Sequence, residues 1–263
     1  MDTASHSISP EELAAVLGGC AAPLVLDVRR EERFLESDRM LPGALRCPPD
    51  QVGRFAASRR PGEVIVYCVH GLEIGEQAAA ELREAGWNAR YLQGGFEGWT
   101  ERGLPSLRKR QDLGVTGERP SRWITRERPK IDRVACPWLV RRFIDPAAEI
   151  FYVPTQMVLE EAKRLGAVAY DIAGAPITHE GEFCSFDALL RAFELQQPAL
   201  SALARIVRGA DTDRLDLAPQ SAGLLAISRG LSRLYASDHR MLEAALPVYD
   251  ALYAWCRGEG GGS

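Results

Sequence analysis

The stretch VIVYCVHGLEIGEQAAAELREAGW, residues 64–87, decides the fold class. Val64, Ile65, Val66 and Tyr67 are consecutive β-formers, and the run stops at Cys68. Gly71 follows three residues later, and from Glu76 to Gly86 the chain is rich in Ala, Glu and Leu, a helix composition. Strand, short loop and helix in that order form the first half of a β–loop–α–loop–β unit.

Working outward, PLVLDV (23–28) is a second apolar strand ending near Asp27, and ARYLQGG (89–95) a third, reached through the helix 76–86. Such spacing implies parallel strands joined by right-handed crossovers, with both sheet faces covered. Ligands of such sheets sit at the carboxyl ends of the strands, where Cys68 is placed. Before them, Ser7 or Ser9 is positioned to cap a first helix whose Glu11 and Glu12 suit the positive end of its dipole.

The same position gives Cys68 a physical rationale. A loop of small residues opening a helix turns several backbone N–H groups toward one point, and the dipole adds positive charge there. Both favour a thiolate and raise its nucleophilicity. Gly71 permits the tight curvature. An isolated cysteine at a strand end is most often buried filler; the loop tips this one toward function. His70 is open to two readings, proton acceptor from an incoming thiol or exposed loop residue. A phosphatase-type loop needs an arginine six residues after the nucleophile; Ile74 stands there, which argues against phosphate or arsenate chemistry.

The chain has 263 residues, 46% hydrophobic and 26% charged, as a globular protein of one large or two ordinary domains should be. Its net charge of −4 argues against a general nucleic-acid binder. No apolar run reaches the roughly 18–20 residues that cross a bilayer, and MDTASHSISPEEL has neither a basic nor an apolar leader region, so a cytoplasmic location is expected. The cysteines at 20, 47, 68, 136, 184 and 256 form no C-x-x-C pair and are expected as thiols.

The expected organisation is an α/β parallel-sheet domain over 1–108, a linker over 109–120, a mainly helical α+β domain over 121–257 and a flexible tail over 258–263. In the second domain the stretch beginning SRWITRERPKID (121–132) opens with a possible strand, and EIFYVP (149–154) and AVAYDI (167–172) read as short strands. Helices are expected over 134–144, stopped by Asp145-Pro146, and over 186–195, 199–208, 222–235 and 241–256. Reactive residues come in bunches: Asp132, Arg133 and Cys136; His179, Glu180, Glu182, Cys184 and Asp187; Asp211 and Asp213; Asp238 and His239. His179, placed on a loop before a helix capped by Ser185, His239 and Asp211 are the candidate ligands of a divalent metal. Arg126, Arg133 and Arg142, in a stretch crowded with cations, are the candidate oxyanion binders; a solvated face paired to Glu127 and Asp132 is the alternative.

Four segments in order, VLDVRREERF (25–34), LPGALRCP (41–48), the 64–87 stretch and ARYLQGGFEGW (89–99), resemble a single-domain rhodanese over about residues 10–105. The resemblance implies a sulfurtransferase in which Cys68 accepts sulfane sulfur as a persulfide, cradled by the loop Val69–Glu73. Its partners would then be a small-molecule sulfur donor and a thiol acceptor. It also implies Asp27 and Arg29 as supports beneath the active face, with a strand-end cap as the other reading of Asp27. The sequence departs from the family at Asp38–Leu41, where Gly-His is usual before the PGA segment, and at Leu72, Glu73 and Ile74, where cationic or hydroxyl residues are usual. Glu73 is expected to repel anionic thiosulfate.

WITRERPKIDRVACPWLVRRFIDP (123–146), THEGEFCSFDALL (178–190), IVRGADTDRLDLAPQSAGLLAISRGLS (206–232) and MLEAALPVYDALYAWCR (241–257) resemble the carboxyl-terminal domain of the chromate-resistance ChrB family. That resemblance implies a link to chromate stress, and chromate or sulfate as a ligand. The best-known members place a winged-helix-like regulator before this domain; here a rhodanese-like segment precedes it. The expected function is a rhodanese-type sulfurtransferase linked to chromate resistance. Two alternatives stand beside it: a non-catalytic oxyanion or metal sensor, and a thiol-dependent chromate reductase using Cys68 with Cys136 or Cys184.

Overall fold

A computed structural model describes residues 6–259 of the chain, which divide into two compact units. Of the described residues, the first comprises 6–111, 115–119 and 142–146; the second comprises 112–114, 120–141 and 147–259.

In the first unit the chain runs β1 (Ser7–Ile8), α1 (Pro10–Val16), β2 (Leu24–Asp27), α2 (Glu31–Glu36), β3 (Arg39–Met40), β4 (Ala44–Arg46), α3 (Val52–Ser58), β5 (Glu63–Tyr67), α4 (Glu73–Glu84), β6 (Asn88–Leu92), α5 (Gly95–Glu101) and β7 (Leu107–Arg108). Five strands form one parallel sheet in the order β1-β6-β5-β2-β4. Its register sets Leu26 against Val66 and Asp27 against Tyr67, so β2 and β5 end together. Val25, Leu26 and Val64 to Tyr67 are almost completely buried, as expected for central strands covered on both faces. Ser9, not Ser7, caps α1, and its capping box with Glu12 is complete.

The stretch expected as a linker is structured. β7 pairs antiparallel with β3, Arg110 bridges to Val115, and the Arg46 N–H donates to the Gly117 carbonyl at 2.8 Å. Gly114 and Gly117 both have positive φ, which lets the segment turn back on the first unit despite lacking a hydrophobic period.

The second unit runs β8 (Arg122–Arg126), α6 (Asp132–Leu139), β9 (Glu149–Val153), α7 (Val158–Leu165), β10 (Val168–Ala169), α8 (Ser185–Ala192), α9 (Pro198–Asp211), α10 (Ser221–Leu234) and α11 (Asp238–Glu259). Three parallel strands form a small sheet in the order β10-β8-β9. One side packs on α7, where Ile124, Val158, Ala162 and Ala169 make a small core. The larger core lies among the helices, around Trp138, Phe186 and Tyr249. The helix expected over 134–144 starts at Asp132 and, after Leu139, widens into a π turn over Val140–Ile144. Pro137 has no N–H for the Arg133 carbonyl, and the Tyr170 hydroxyl donates to that carbonyl instead, at 3.3 Å. Gly258 and Glu259 belong to α11; residues 260–263 of the expected tail, and 1–5, lie outside the described residues. No described helix is long and apolar enough to cross a membrane.

The loop after β5 depends on two glycines in the left-handed region. Gly95 has φ +57°, and a Cβ there would lie 2.4 Å from the Gly71 nitrogen and 2.6 Å from the Cys68 carbonyl oxygen. Gly95→Ala should therefore destabilise the protein by at least about 2 kcal/mol, the strain and the backbone clash acting together. Gly62→Ala, where nothing lies within 4 Å of the new methyl, should stay within about 0.5 kcal/mol of the wild type. Urea unfolding midpoints of both variants measure the difference.

Candidate functional site

Cys68 follows β5 directly and lines a cavity of about 280 Å³ together with Arg29, Arg30, Arg33, His70 and Glu73. The Gly71 N–H donates to its Sγ at 3.2 Å. The loop is fixed from behind: the N–H groups of Phe96 and Glu97 donate to the carbonyls of Cys68 and Val69 at 2.9 and 3.0 Å. Gly75, one turn into α4, leaves room for the sulfur, since a Cβ there would stand 3.4 Å from it. His70 is exposed and its Nδ1 lies 3.0 Å from Glu97. Glu73 opens α4, faces the cavity and accepts from Gln77.

Asp27 and Arg29 are 0% and 1% exposed. Arg29 Nε donates to Asp27 Oδ1 at 2.9 Å and its Nη2 donates to Oδ2 at 2.5 Å. Tyr67, which sequence reading left out of the site, donates its hydroxyl to the same Oδ2 at 2.7 Å. Burial first, and then the Asp27 charge, push the Tyr67 pKa well up, so the phenol stays a donor. The guanidinium also lies over the Phe96 ring, 4.4 Å from its centroid. Asp27 is thus bound into a buried network joining β2, β5 and α5, more than a cap on its own strand.

A second cluster forms in the second unit, again at the carboxyl ends of parallel strands. Asp171 follows β10, Asp132 begins α6 after β8, and Asp211 ends α9. His179 comes from the loop between β10 and α8. Its Nε2 lies 3.4 Å from Asp132 Oδ2, 3.2 Å from Asp171 Oδ1 and 3.3 Å from Asp211 Oδ2. Asp132 is 1% exposed and accepts the main-chain N–H groups of Ser185 and Phe186 at 2.7 and 2.9 Å. Cys184, not Ser185, is the N-cap of α8, which frees the Ser185 hydroxyl to donate to Asp171 at 3.2 Å. The hydrogen bond to Asp132, with the surrounding carboxylates and against partial burial, raises His179 to about 9. Burial, then the charges of Asp132 and Asp171, raise Asp211 to about 7.

The structure brings together only part of the residues expected here. His179 and Asp211 meet; His239 does not join them, its ring packing edge-on against Tyr152 with centroids 5.4 Å apart. Asp132 and Asp171 take that place. Asp171, inside the stretch 167–172 expected as a strand, lies just beyond β10, which ends at Ala169. Arg126 and Arg133 converge, and both face Asp171 Oδ2, at 3.5 and 3.2 Å. Arg142 belongs to the stretch 142–146, which groups with the first unit. Cys136 and Cys184 are 1% and 0% exposed, and burial, then the Asp132 charge, push both thiols up, so neither is a ready second nucleophile for a reductase.

With this geometry in view, comparison with known proteins places the chain. Residues 123–256 match the family described as ChrB, C-terminal domain, and residues 9–102 match the rhodanese-like domain. The chain belongs to the ChrB C-terminal-domain family, with a rhodanese-like domain preceding it in sequence. It is 33% identical over 152 residues to Protein ChrB of Cupriavidus metallidurans, a match covering 53% of this chain and 45% of that protein. The chain thus spans under half the length of that relative. It is 39% identical over 84 residues to the thiosulfate sulfurtransferase GlpE of Actinobacillus succinogenes, covering 31% of this chain and 73% of that one. Among solved structures it is similar to a human single-domain sulfurtransferase, at 24% identity and TM-score 0.32 over 36% of this chain and 96% of the other. A rhodanese-related protein of Thermoplasma volcanium matches at 24% identity and TM-score 0.34, over 38% and 96% of the chains.

Burial pushes Cys47 up to about 11 and raises Cys256 as well, which leaves Cys20, exposed at the surface, as the competitor of Cys68 for alkylation. In a Cys20→Ser background, limiting iodoacetamide at near-neutral pH should modify Cys68 first, read by peptide mapping. Earlier labelling of Cys136 or Cys184 would show that the loop does not single out Cys68.

Proposed function

We propose that the first unit is a sulfurtransferase in which Cys68 carries sulfur as a persulfide, within a protein of the chromate-resistance type. The observation that carries this reading is that Cys68 lines a cavity while its sulfur accepts from the Gly71 N–H at the entrance to α4. A fixed N–H and the positive helix end both favour an anionic sulfur there.

The Cys68 thiolate attacks the outer sulfur of a donor such as thiosulfate. The S–S bond to Cys68 forms as the donor's own S–S bond breaks, and sulfite leaves with that electron pair. An acceptor thiolate then attacks the outer sulfur of the Cys68 persulfide, takes it, and returns Cys68 as thiolate. The charge balances in both steps, and no outside oxidant is needed. Cys68 is the catalytic residue; Gly71 supplies the hydrogen bond to sulfur. Asp27, Arg29 and Tyr67 are positioning residues, holding the ends of β2 and β5 under the loop.

Arg30 and Arg33 line the cavity beside Glu73. They favour an anionic donor while Glu73 opposes it, so donor preference turns on the balance of charge at the rim. The similarity to thiosulfate sulfurtransferase GlpE supports thiosulfate as the first donor to test.

Incubation with thiosulfate should add one sulfur atom to the intact protein, seen by mass spectrometry. Cys68→Ser should abolish that adduct and the transfer activity while leaving the melting temperature close to the wild type. An unmodified wild-type Cys68 with thiosulfate and with organic persulfide donors alike would sink the reading.

Reversing the charge at the rim gives a separate expectation. Removing a repulsion of about 1 kcal/mol should make Glu73→Arg lower the KM for thiosulfate about fivefold with little change in kcat. An unchanged KM would mean that the Glu73 carboxylate does not meet the incoming donor.

A further inference from the structure

We propose that Asp132, His179 and Asp211 of the second unit bind a divalent transition-metal ion, with Asp171 completing or supporting the set. One donor atom from each of the three lies within 4.8 Å of the others. The His179 Nε2 stands 3.2, 3.3 and 3.4 Å from oxygens of Asp171, Asp211 and Asp132. Bonds of about 2.1 Å at tetrahedral to octahedral angles set neighbouring ligand atoms roughly 3.0–3.4 Å apart. The three distances from the histidine nitrogen fall in or close to that range.

The same spacing is poor as a hydrogen-bond arrangement. A single Nε2–H directs one good hydrogen bond, yet three carboxylates converge on it. Two of these are nearly buried, Asp132 at 1% and Asp171 at 8% exposure of the side chain. A buried carboxylate needs a compensating cation. Arg126 and Arg133 face only Asp171, through its other oxygen. Among the described residues no arginine or lysine stands within ion-pair distance of Asp132 or Asp211, and His179 is the basic group that faces both.

The supporting shell is also in place. The N–H groups of Ser185 and Phe186 fix the Asp132 carboxylate, the Asp132 N–H reaches Asp211 Oδ1 at 3.4 Å, and the Ser185 hydroxyl holds Asp171. Ligating carboxylates are typically anchored in this way. His179 is 39% exposed, which provides an entry path from solvent and a face where water or an anion completes the coordination. Mixed imidazole and carboxylate donors suit manganese, iron or zinc in the divalent state better than soft, thiolate-seeking ions. Cys136 and Cys184 are 1% and 0% exposed, and the donor atoms that cluster are the oxygens and nitrogen of Asp132, His179 and Asp211.

The full chain, tag-free and in the Cys68→Ser form so that the reactive thiol contributes nothing, is stripped with chelator and titrated calorimetrically with Mn²⁺ and then with Zn²⁺. One equivalent is expected to bind saturably. His179→Ala and the isosteric Asp211→Asn should each weaken that binding at least tenfold, while His239→Ala, outside the cluster, should match the parent. Circular dichroism confirms that each variant is folded. Absence of stoichiometric binding of either ion to the folded parent overturns the proposal, and so does binding unchanged in both His179→Ala and Asp211→Asn. Because Cys68 is removed, neither outcome depends on whether the first unit transfers sulfur.

Discussion

A carboxylate taken out of water must be met by donors and positive charge, and that constraint organises both units. Asp27 and Asp132 are 0% and 1% exposed. Each would cost several kcal/mol if left without partners. Asp27 is met by the Arg29 guanidinium and the Tyr67 hydroxyl, which ties the end of β2 to the end of β5. Asp132 is met by two main-chain N–H groups at the start of α8 and by His179, which ties α6 to α8 and to the loop between β10 and α8. The buried acids are fixed points around which the two sites are assembled.

Burial sorts the cysteines by the same physics. Cys68, Cys136 and Cys184 all have little exposed surface. What separates them is the company of each sulfur. Cys68 faces the Gly71 N–H at a helix entrance and opens to a cavity. Cys136 and Cys184 face the carboxylates of Asp132 and Asp187 at 3.5 and 3.3 Å, surroundings that hold the proton on sulfur. The loop thiol of Cys68 thus belongs to the first unit and the carboxylate–histidine cluster to the second.

Both units use the carboxyl edge of a parallel sheet, although their sheets differ in size. Parallel strands end side by side, and the loops that leave them must cross to helices, so polar and reactive groups collect at that edge. In the first unit the edge presents a thiol and a rim of mixed charge. In the second it presents three acids and one histidine, with two arginines behind Asp171.

The strand-loop-helix stretch 64–87, by itself, determined the parallel α/β class and the place of Cys68, because β-former runs and helix composition are local properties. The long helices α9, α10 and α11 were legible for the same reason, within a few residues at their ends. Helix α7 was not read from the sequence, although Val158, Ala162 and Leu165 recur at helical spacing on the face that packs against β8 and β10. Nor did residues 109–119 announce their order, since a β-bridge and single backbone hydrogen bonds leave no periodic trace. Sequence spacing brought His239 into a site it does not share and left out Asp171. Which side chains converge from residues 132, 171, 179 and 211 is decided by the crossing of β10, α6, α8 and α9. That convergence is a long-range consequence of packing, and no local pattern of residues encodes it.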